Sequence, residues 1–331
     1  MLLNIKYTLY QNRIALRFLF LVFSSSFVFA QKPVVLERQV TLMGSVFNIT
    51  LVDKDSVSAN ENIDLTIEEI SRIENLISEW QPQTQISEVN QNAGIKPVKV
   101  NKEVFELTKR ATDYSKMSNG AFDISTVSMD KIWRFDGSMT EMPSQESIKK
   151  SVANVDYRNI VLDSINSTIF LKNKGMKIGF GSIGKGYAAD KGRELMQKKG
   201  IKAGIVNASG DIATWGTQPN GKPWAIGIRN PFKRQKIAKI LKLKNAAVAT
   251  SGSYEKYAEI DGVRYSHIIN PKTGFPATGL TSVTIYGPSS EFCNALSTSI
   301  MVLGEKEGLK LVRQFPEYRY LLITDEGKIR K

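Results

Sequence analysis

The sequence predicts an α+β fold, a single mixed-sheet domain with helices interleaved among its strands. Three observations carry that expectation. Isoleucines recur at helical spacing in the first third, whereas short β-forming runs bounded by turn residues crowd the second half. A turn as short as residues 163–167 joins two neighbouring runs, which suits antiparallel pairing. No Pro/Ser/Gly-rich spacer and no repeat of fixed period divides the 331 residues, so one continuous unit is expected.

Taken in order, residues 40–52 read as a strand interrupted by Gly44. Ile63, Ile67, Ile70, Ile73 and Ile77 form the apolar stripe of a helix that ends near Trp80-Gln-Pro82. Pro82 and the asparagines that follow make 81–92 read as a polar loop. Val104, Leu107, Ala111 and Tyr114 mark a second helix, with Asn101 as its N-cap. Strands are expected at 160–162, 168–171, 201–206, 224–228, 236–243, 246–250 and 282–286. Helices are expected at 187–199, 292–303 and 307–315, and a last strand at 320–324 closes the chain.

The N-terminus narrows the compartment. Lys6, Arg13 and Arg17 precede or enter an apolar run over 18–23, which continues through serines to Phe27-Val-Phe-Ala30. Val28 and Ala30 suit the −3 and −1 positions of a signal-peptidase site. Residues 1–30 therefore read as a signal peptide and 31–331 as an exported, periplasmic domain. An uncleaved anchor is the weaker reading, because the apolar stretch is short for a spanning helix. The single cysteine, Cys293, lies far downstream, which excludes a lipid attachment point at the cleavage site and an internal disulfide. A formal charge of +13 favours anionic surfaces or substrates. Its lysines are spread along the chain and gathered in no motif, which speaks against nucleic acid as a partner.

The most informative segment runs from Lys177 through Gly179, Gly181, Gly184, Lys185 and Gly186 to Asp190. A strand feeding a glycine loop that opens a helix aims backbone N–H groups and the positive end of the helix dipole at one spot. That spot suits a phosphate. The alternative is a tight turn whose glycines serve close packing. Two familiar patterns fail here. The dinucleotide fingerprint needs an acidic residue after the next strand, which instead ends in Asn207-Ala-Ser-Gly; the Walker loop needs a Ser or Thr where Gly186 stands.

Other constellations stay open on residues alone. His267, the one histidine, follows a strand and precedes an Asn-Pro turn, a position that suits a site residue as well as a structural one. Thr250-Ser-Gly-Ser253 and Asn207-Ala-Ser-Gly-Asp211 could donate to phosphate oxygens or form plain turns. Trp80, Phe122, Trp133 and Tyr187 could stack on a planar ring, although most aromatic residues are core. Asn294 and Thr298, four apart on one helix face, could ligate a hard cation such as magnesium or simply meet water.

In this order the pieces resemble the ApbE family of flavin transferases, over about residues 42–304. The matching motifs are Met43-Gly-Ser45, Ile77-Ser-Glu-Trp80 with Ser87-Glu-Val-Asn90, Gly120-Ala-Phe-Asp123 and Gly181-Ser-Ile-Gly-Lys-Gly-Tyr187. They continue with Asn207-Ala-Ser-Gly-Asp211, Thr250-Ser-Gly252, Tyr265-Ser-His-Ile268 leading to Pro271-Lys-Thr-Gly-Phe-Pro276, and Asn294-Ala-Leu-Ser-Thr298.

The resemblance implies an ApbE-like domain related to the T-fold that moves FMN from FAD, with magnesium, onto a Thr or Ser of a target flavoprotein subunit through a phosphoester bond. AMP is released, and any inner-membrane association comes through those targets. It implies FAD contacts from Met43, Trp80, Ala121, Phe122, Asp123, Lys185, Thr250 and His267. A metal site would comprise the carbonyl of Ser182 and the side chains of Asn294 and Thr298, with His267 and Lys185 catalytic. Two departures stand out: the family usually has aspartate at the position of Asn294 and often at that of Gly179, so negative charge is lost near the metal. Two competing expectations are an FAD pyrophosphatase giving FMN and AMP, and a non-catalytic exported flavin-binding protein.

Overall fold

In the computed structural model, which describes residues 32–331, a tight turn at Met43 and Gly44 (φ 50° and 64°) folds the first β-forming segment back on itself. Two successive positive-φ residues match the twist of flanking strands. The segment expected as one interrupted strand is therefore a hairpin of β1 (Val34–Leu42) and β2 (Ser45–Asp53). The signal peptide expected over 1–30 lies outside the described residues.

Helix α1 (Ser56–Ile77) is capped by Asp55 and buries Ile63, Ile70, Ile73 and Ile77, as the isoleucine spacing predicts. The expected polar loop over 81–92 instead contains a short helix, α2 (Gln85–Gln91). Thr84 caps it by accepting from Ser87 N–H at 3.1 Å, and Ile86 and Val89 anchor it in the core. Strand β3 (Val98–Lys99) leads into α3 (Lys102–Met117), whose cap is Asn101, accepting from Glu103 N–H at 2.9 Å. After α4 (Gln145–Ser151), strands β4 (Ile160–Asp163) and β5 (Thr168–Leu171) form a hairpin whose β5 also pairs with β3, giving a small three-stranded sheet of order β3-β5-β4.

The rest of the chain builds the main sheet and its cover. Helix α5 (Gly184–Lys198) precedes the hairpin of β6 (Ala203–Ala208) and β7 (Asp211–Trp215). A long ribbon follows, β8 (Trp224–Asn230) and β9 (Lys233–Leu243), then β10 (Ala247–Gly252) and a small hairpin of β11 (Tyr257–Ile260) and β12 (Val263–Ser266). Strand β13 (Leu280–Gly287), helix α6 (Ser290–Val312), β14 (Arg319–Thr324) and β15 (Ile329–Arg330) complete the fold. Helix α6 covers the helix expected at 292–303 and the first part of that expected at 307–315, ending at Val312, and its backbone breaks between them at Gly304 (φ 76°, ψ 178°).

The eight-stranded sheet has the order β1-β2-β6-β7-β10-β13-β14-β15, with every pairing antiparallel. Strand β7 escapes a sequence search because all five of its residues are buried, so it shows no alternation of polar and apolar positions. Helices α1, α5 and α6 pack on the sheet, and the β8–β9 ribbon packs against it through Ile228, Leu241 and Leu243, which meet Ile212, Val248 and Leu321. Residues Pro33–Lys331 form one compact unit.

Candidate active site

The start of α5 is held by contact with its neighbours. None of its four glycines has positive φ, so backbone freedom is not their role. A Cβ at Gly186 would lie 2.6 Å from Ser290 O, one at Gly184 would lie 3.2 Å from Ile77 Cδ1, and one at Gly179 would lie 2.9 Å from both Glu79 Cδ and Val127 Cγ1. Close packing thus explains three of them. Gly181 alone faces open space. The expected strand-loop-helix unit is looser than predicted: β5 belongs to the small sheet, and residues 172–183 separate it from α5 without regular structure.

These contacts place the α5 start at a cleft of about 1150 Å³. Its volume exceeds the ~300–1,000 Å³ typical of sites for drug-sized ligands, so it suits something as large as a dinucleotide. Helix α5 has Ile183 at its N-cap and no side-chain cap, so no side chain caps the N–H groups of its first turn. Gly181, Ser182 and Lys185 line the cleft there. Among the described residues Lys185 makes no hydrogen bond or ion pair. It lies close enough to Glu79 and Asp211 to favour the charged form of both.

The β6–β7 turn, with Ser209 and Gly210 at φ 56° and 104°, brings Asp211 to the cleft floor. Burial pushes its carboxyl up to about 7, against the opposing pull of Lys185 and Asn294. Asn294 Nδ2 donates to Asp211 Oδ2 at 2.5 Å. That bond leaves the amide oxygen of Asn294 as its remaining acceptor. One turn along α6, Thr298 lies 3.4 Å from Ser251 Oγ, which also bonds Ser297 Oγ at 2.8 Å. Among the described residues no three His, Cys, Asp or Glu side chains cluster as a metal site. The donors present are oxygens: one carboxylate, one amide, hydroxyls and backbone carbonyls. Such a set fits magnesium, which takes few protein ligands and completes its shell with water and phosphate.

His267 follows β12 at the cleft mouth, packed edge-on to Phe135 with ring centroids 6.4 Å apart. Its Nδ1 lies 3.0 Å from Lys256 O. A carbonyl only accepts, so Nδ1 carries the proton in the neutral ring and Nε2 keeps the lone pair. The residue keeps solvent access, yet crowding of the ring by protein pushes its pKa down.

Of the other expected contacts, Trp80, Ala121, Phe122, Asp123 and Thr250 all line the cleft. Trp80 is 75% exposed, with the Lys131 ammonium 5.1 Å from its ring centroid. Asp123 is buried and accepts from Ser125 N–H and O–H and from Tyr157 N–H, which makes it a cap for the turn at Ile124–Ser128. Thr250 Oγ1 pairs with Thr284 Oγ1 at 2.9 Å. Met43 stands apart: its side chain packs toward Gly184 and the core and is not among the lining residues.

Three cleft residues carry chemistry that the sequence did not assign. Asp211 was visible only as the end of a turn motif. Glu79 occupies the space above Gly179, and burial raises its pKa. Asn48 lines the cleft with its Oδ1 buried and without a hydrogen-bond partner, ready for a ligand donor.

An α+β frame with an oxygen-lined cleft, a free lysine and an uncapped helix start defines a protein built to hold a nucleotide-sized anionic ligand. The chain belongs to the ApbE family, whose model matches residues 43–322. It is 32% identical over 272 residues to the FAD:protein FMN transferase of Treponema pallidum, covering 78% of this chain and 75% of that protein. Identity to the FAD:protein FMN transferase of Klebsiella pneumoniae is 30% over 290 residues, 87% and 89% of the two chains. Among solved structures, the ApbE protein of Thermotoga maritima superposes with a TM-score of 0.82 at 30% identity, over 90% of this chain and 97% of that one. The apo flavinyl transferase ApbE of Pseudomonas stutzeri gives 0.78 at 27% identity, over 90% and 93%.

Proposed function

We propose that this chain is an FAD:protein FMN transferase that uses the cleft at the start of α5. The observation that supports this best is convergence: Lys185, the Asn294–Thr298 face of α6, Asp211 and His267 all border one cavity. FAD binds with its pyrophosphate at the α5 start, where Lys185 and the first-turn amides offset its charge. The ring system would meet Trp80, which is exposed at the cleft, and not Phe122, whose side chain is buried in the core.

The hydroxyl of an acceptor Ser or Thr attacks the FMN-side phosphorus. His267 Nε2 takes the hydroxyl proton, a new P–O ester forms, the anhydride P–O bond breaks, and AMP departs with that electron pair. Asn294, Thr298 and the Ser182 carbonyl would hold magnesium, with the Asp211 carboxylate behind Asn294. When bound, the ion supplies charge neutralisation for the pyrophosphate and the leaving AMP. Asp211 orients the Asn294 amide so that its oxygen, and not its nitrogen, is left for the cation.

The same site with water as acceptor would hydrolyse FAD, and one incubation separates the outcomes. Mixing the protein, FAD and magnesium chloride with a candidate flavoprotein subunit gives a covalent fluorescent band and one AMP per transferred FMN. Free FMN without that band would mean a pyrophosphatase, and neither product would mean a flavin carrier. We further propose that the protein is exported with Gln31 as its first mature residue, supported by the Val28 and Ala30 spacing. Intact mass of the secreted form tests this, and retention of residues 1–30 would make it an anchored protein.

A further inference from the structure

Between Asp211 and Glu255 the chain carries eight lysines and arginines and no acidic residue. Most of these cations sit on or beside the β8–β9 ribbon. Among the ribbon's described side chains no lysine or arginine takes part in an ion pair. One face of the ribbon is spent on the fold, through Ile228, Leu241 and Leu243. The other face is not. There Gly227 pairs with Ile240 and Ala225 with Lys242, so small residues on β8 leave the β9 side chains standing proud. Ile240 is 60% exposed, and Ile237, whose Cδ1 leans over Gly227, is 53% exposed. Phe232, at the turn between the strands, is also 53% exposed. Lys233, Lys236 and Lys242 surround these three apolar groups and are themselves exposed.

Three large apolar side chains held in water among unpaired cations need a covering of matching chemistry. A folded protein is the poorer match on area. Eleven residues on β9 and seven on β8, at about 3.4 Å each on strands about 5 Å apart, present on the order of 300 Å². A stable protein interface needs roughly 800 Å² from each partner. A bilayer surface needs no such area, because a few apolar side chains enter the headgroup zone while lysines meet lipid phosphates. Among the described residues no helix is long and apolar enough to cross a membrane, so contact through this ribbon would be peripheral.

We propose that the β8–β9 ribbon docks this protein on an anionic bilayer surface, with Phe232, Ile237 and Ile240 inserted and the ribbon lysines on the lipid phosphates. Gly227, Ile228 and Arg229 also line the cleft, so docking sets the cleft mouth beside the membrane surface. The proposal is independent of the flavin chemistry.

Vesicle sedimentation of the full chain tests it, using phosphatidylcholine alone or mixed with phosphatidylglycerol, at low and raised salt. Any contribution from residues outside the ribbon is common to parent and variants. The parent is expected to sediment with the phosphatidylglycerol vesicles only, and less so in salt. Each lysine removed should weaken partitioning about fivefold. Phe232→Ser/Ile237→Ser/Ile240→Ser and, separately, Lys233→Glu/Lys236→Glu/Lys242→Glu should lower it at least tenfold, with melting temperature and FAD affinity as checks of folding. Two outcomes overturn the proposal: a parent that ignores anionic vesicles, including one that is retained only by an acidic polypeptide matrix, and folded variants that bind vesicles as the parent does.

Discussion

Asn294 and His267 each depend on one hydrogen bond for what they can do. Asn294 gives its nitrogen to Asp211, which frees its oxygen for a cation. In Asn294→Asp a second carboxylate would face the first in a dry site, so the metal-free protein should melt at a lower temperature than the parent. Magnesium should then raise that melting temperature by more than it raises the parent's, and half-saturate at a lower concentration. Asn294→Ala should need more magnesium. Magnesium titrations followed by melting would remove Asn294 from the metal site if all three curves superimposed. His267 donates from Nδ1 to Lys256 O, so Nε2 is the base. His267→Ala should lower kcat by about 10²- to 10⁴-fold while leaving FAD affinity within about twofold. Crowding of the ring by surrounding protein holds the His267 pKa below its ordinary 6.5, although the residue keeps solvent access, so the neutral base form dominates at pH 7. Activity should fall on acidification through a pKa below that value. A kcat–pH profile of the variant should lack this acid limb.

At the scale of elements, the site depends on how closely α5 approaches the start of α6. Gly186 allows it, since a Cβ there would sit 2.6 Å from the backbone oxygen of Ser290, an atom with no rotamer to change. Gly186→Ala should therefore push the two helix starts apart and cost about 1–3 kcal/mol, as overpacking does. Gly181 faces open space, so Gly181→Ala should leave stability unchanged and weaken FAD binding by intruding on the cleft. Urea denaturation and flavin fluorescence of the two variants check this contrast. The motif order and the glycines were legible along the chain, but their separate purposes were not. Four glycines in eight residues look alike until their neighbours, from α1, the 124–128 turn and α6, are in place.

Across the whole molecule, two apolar clusters must keep register. One lies around α1, α3 and α5, the other around α6, β10 and β13. A polar tie joins them: Glu291 on α6, its side chain 7% exposed, takes both Arg110 Nε and Nη2 at 2.9 and 3.0 Å, and Tyr114 O–H at 2.9 Å. Removing the arginine leaves a buried carboxylate with one donor. Losses of ~3–5 kcal/mol are usual for a fully buried pair. Arg110 is partly exposed and screened, so Arg110→Ala should cost about 1–3 kcal/mol. Arg110→Met combined with Glu291→Met should recover part of it. Thermal melts of the single and double variants measure the difference.

What the sequence determined by itself is local. The isoleucine spacing of α1 and the Asn101 cap of α3 were legible because periodicity and capping act within a few residues, whereas the cleft residues were reached through the resemblance of their motifs to a family. Short or fully buried elements such as α2 and β7 were not, since tertiary burial, and not local pattern, holds them. The electrostatics of the site were settled only by the tertiary structure. Asp211 and Asn294 are 83 residues apart in the chain and 2.5 Å apart in space. Glu79, in the bend after α1, and Lys185, in the first turn of α5, share the cleft. A carboxyl near pH 7 and a histidine held neutral arise from desolvation and distance, and both belong to packing, which no stretch of sequence contains.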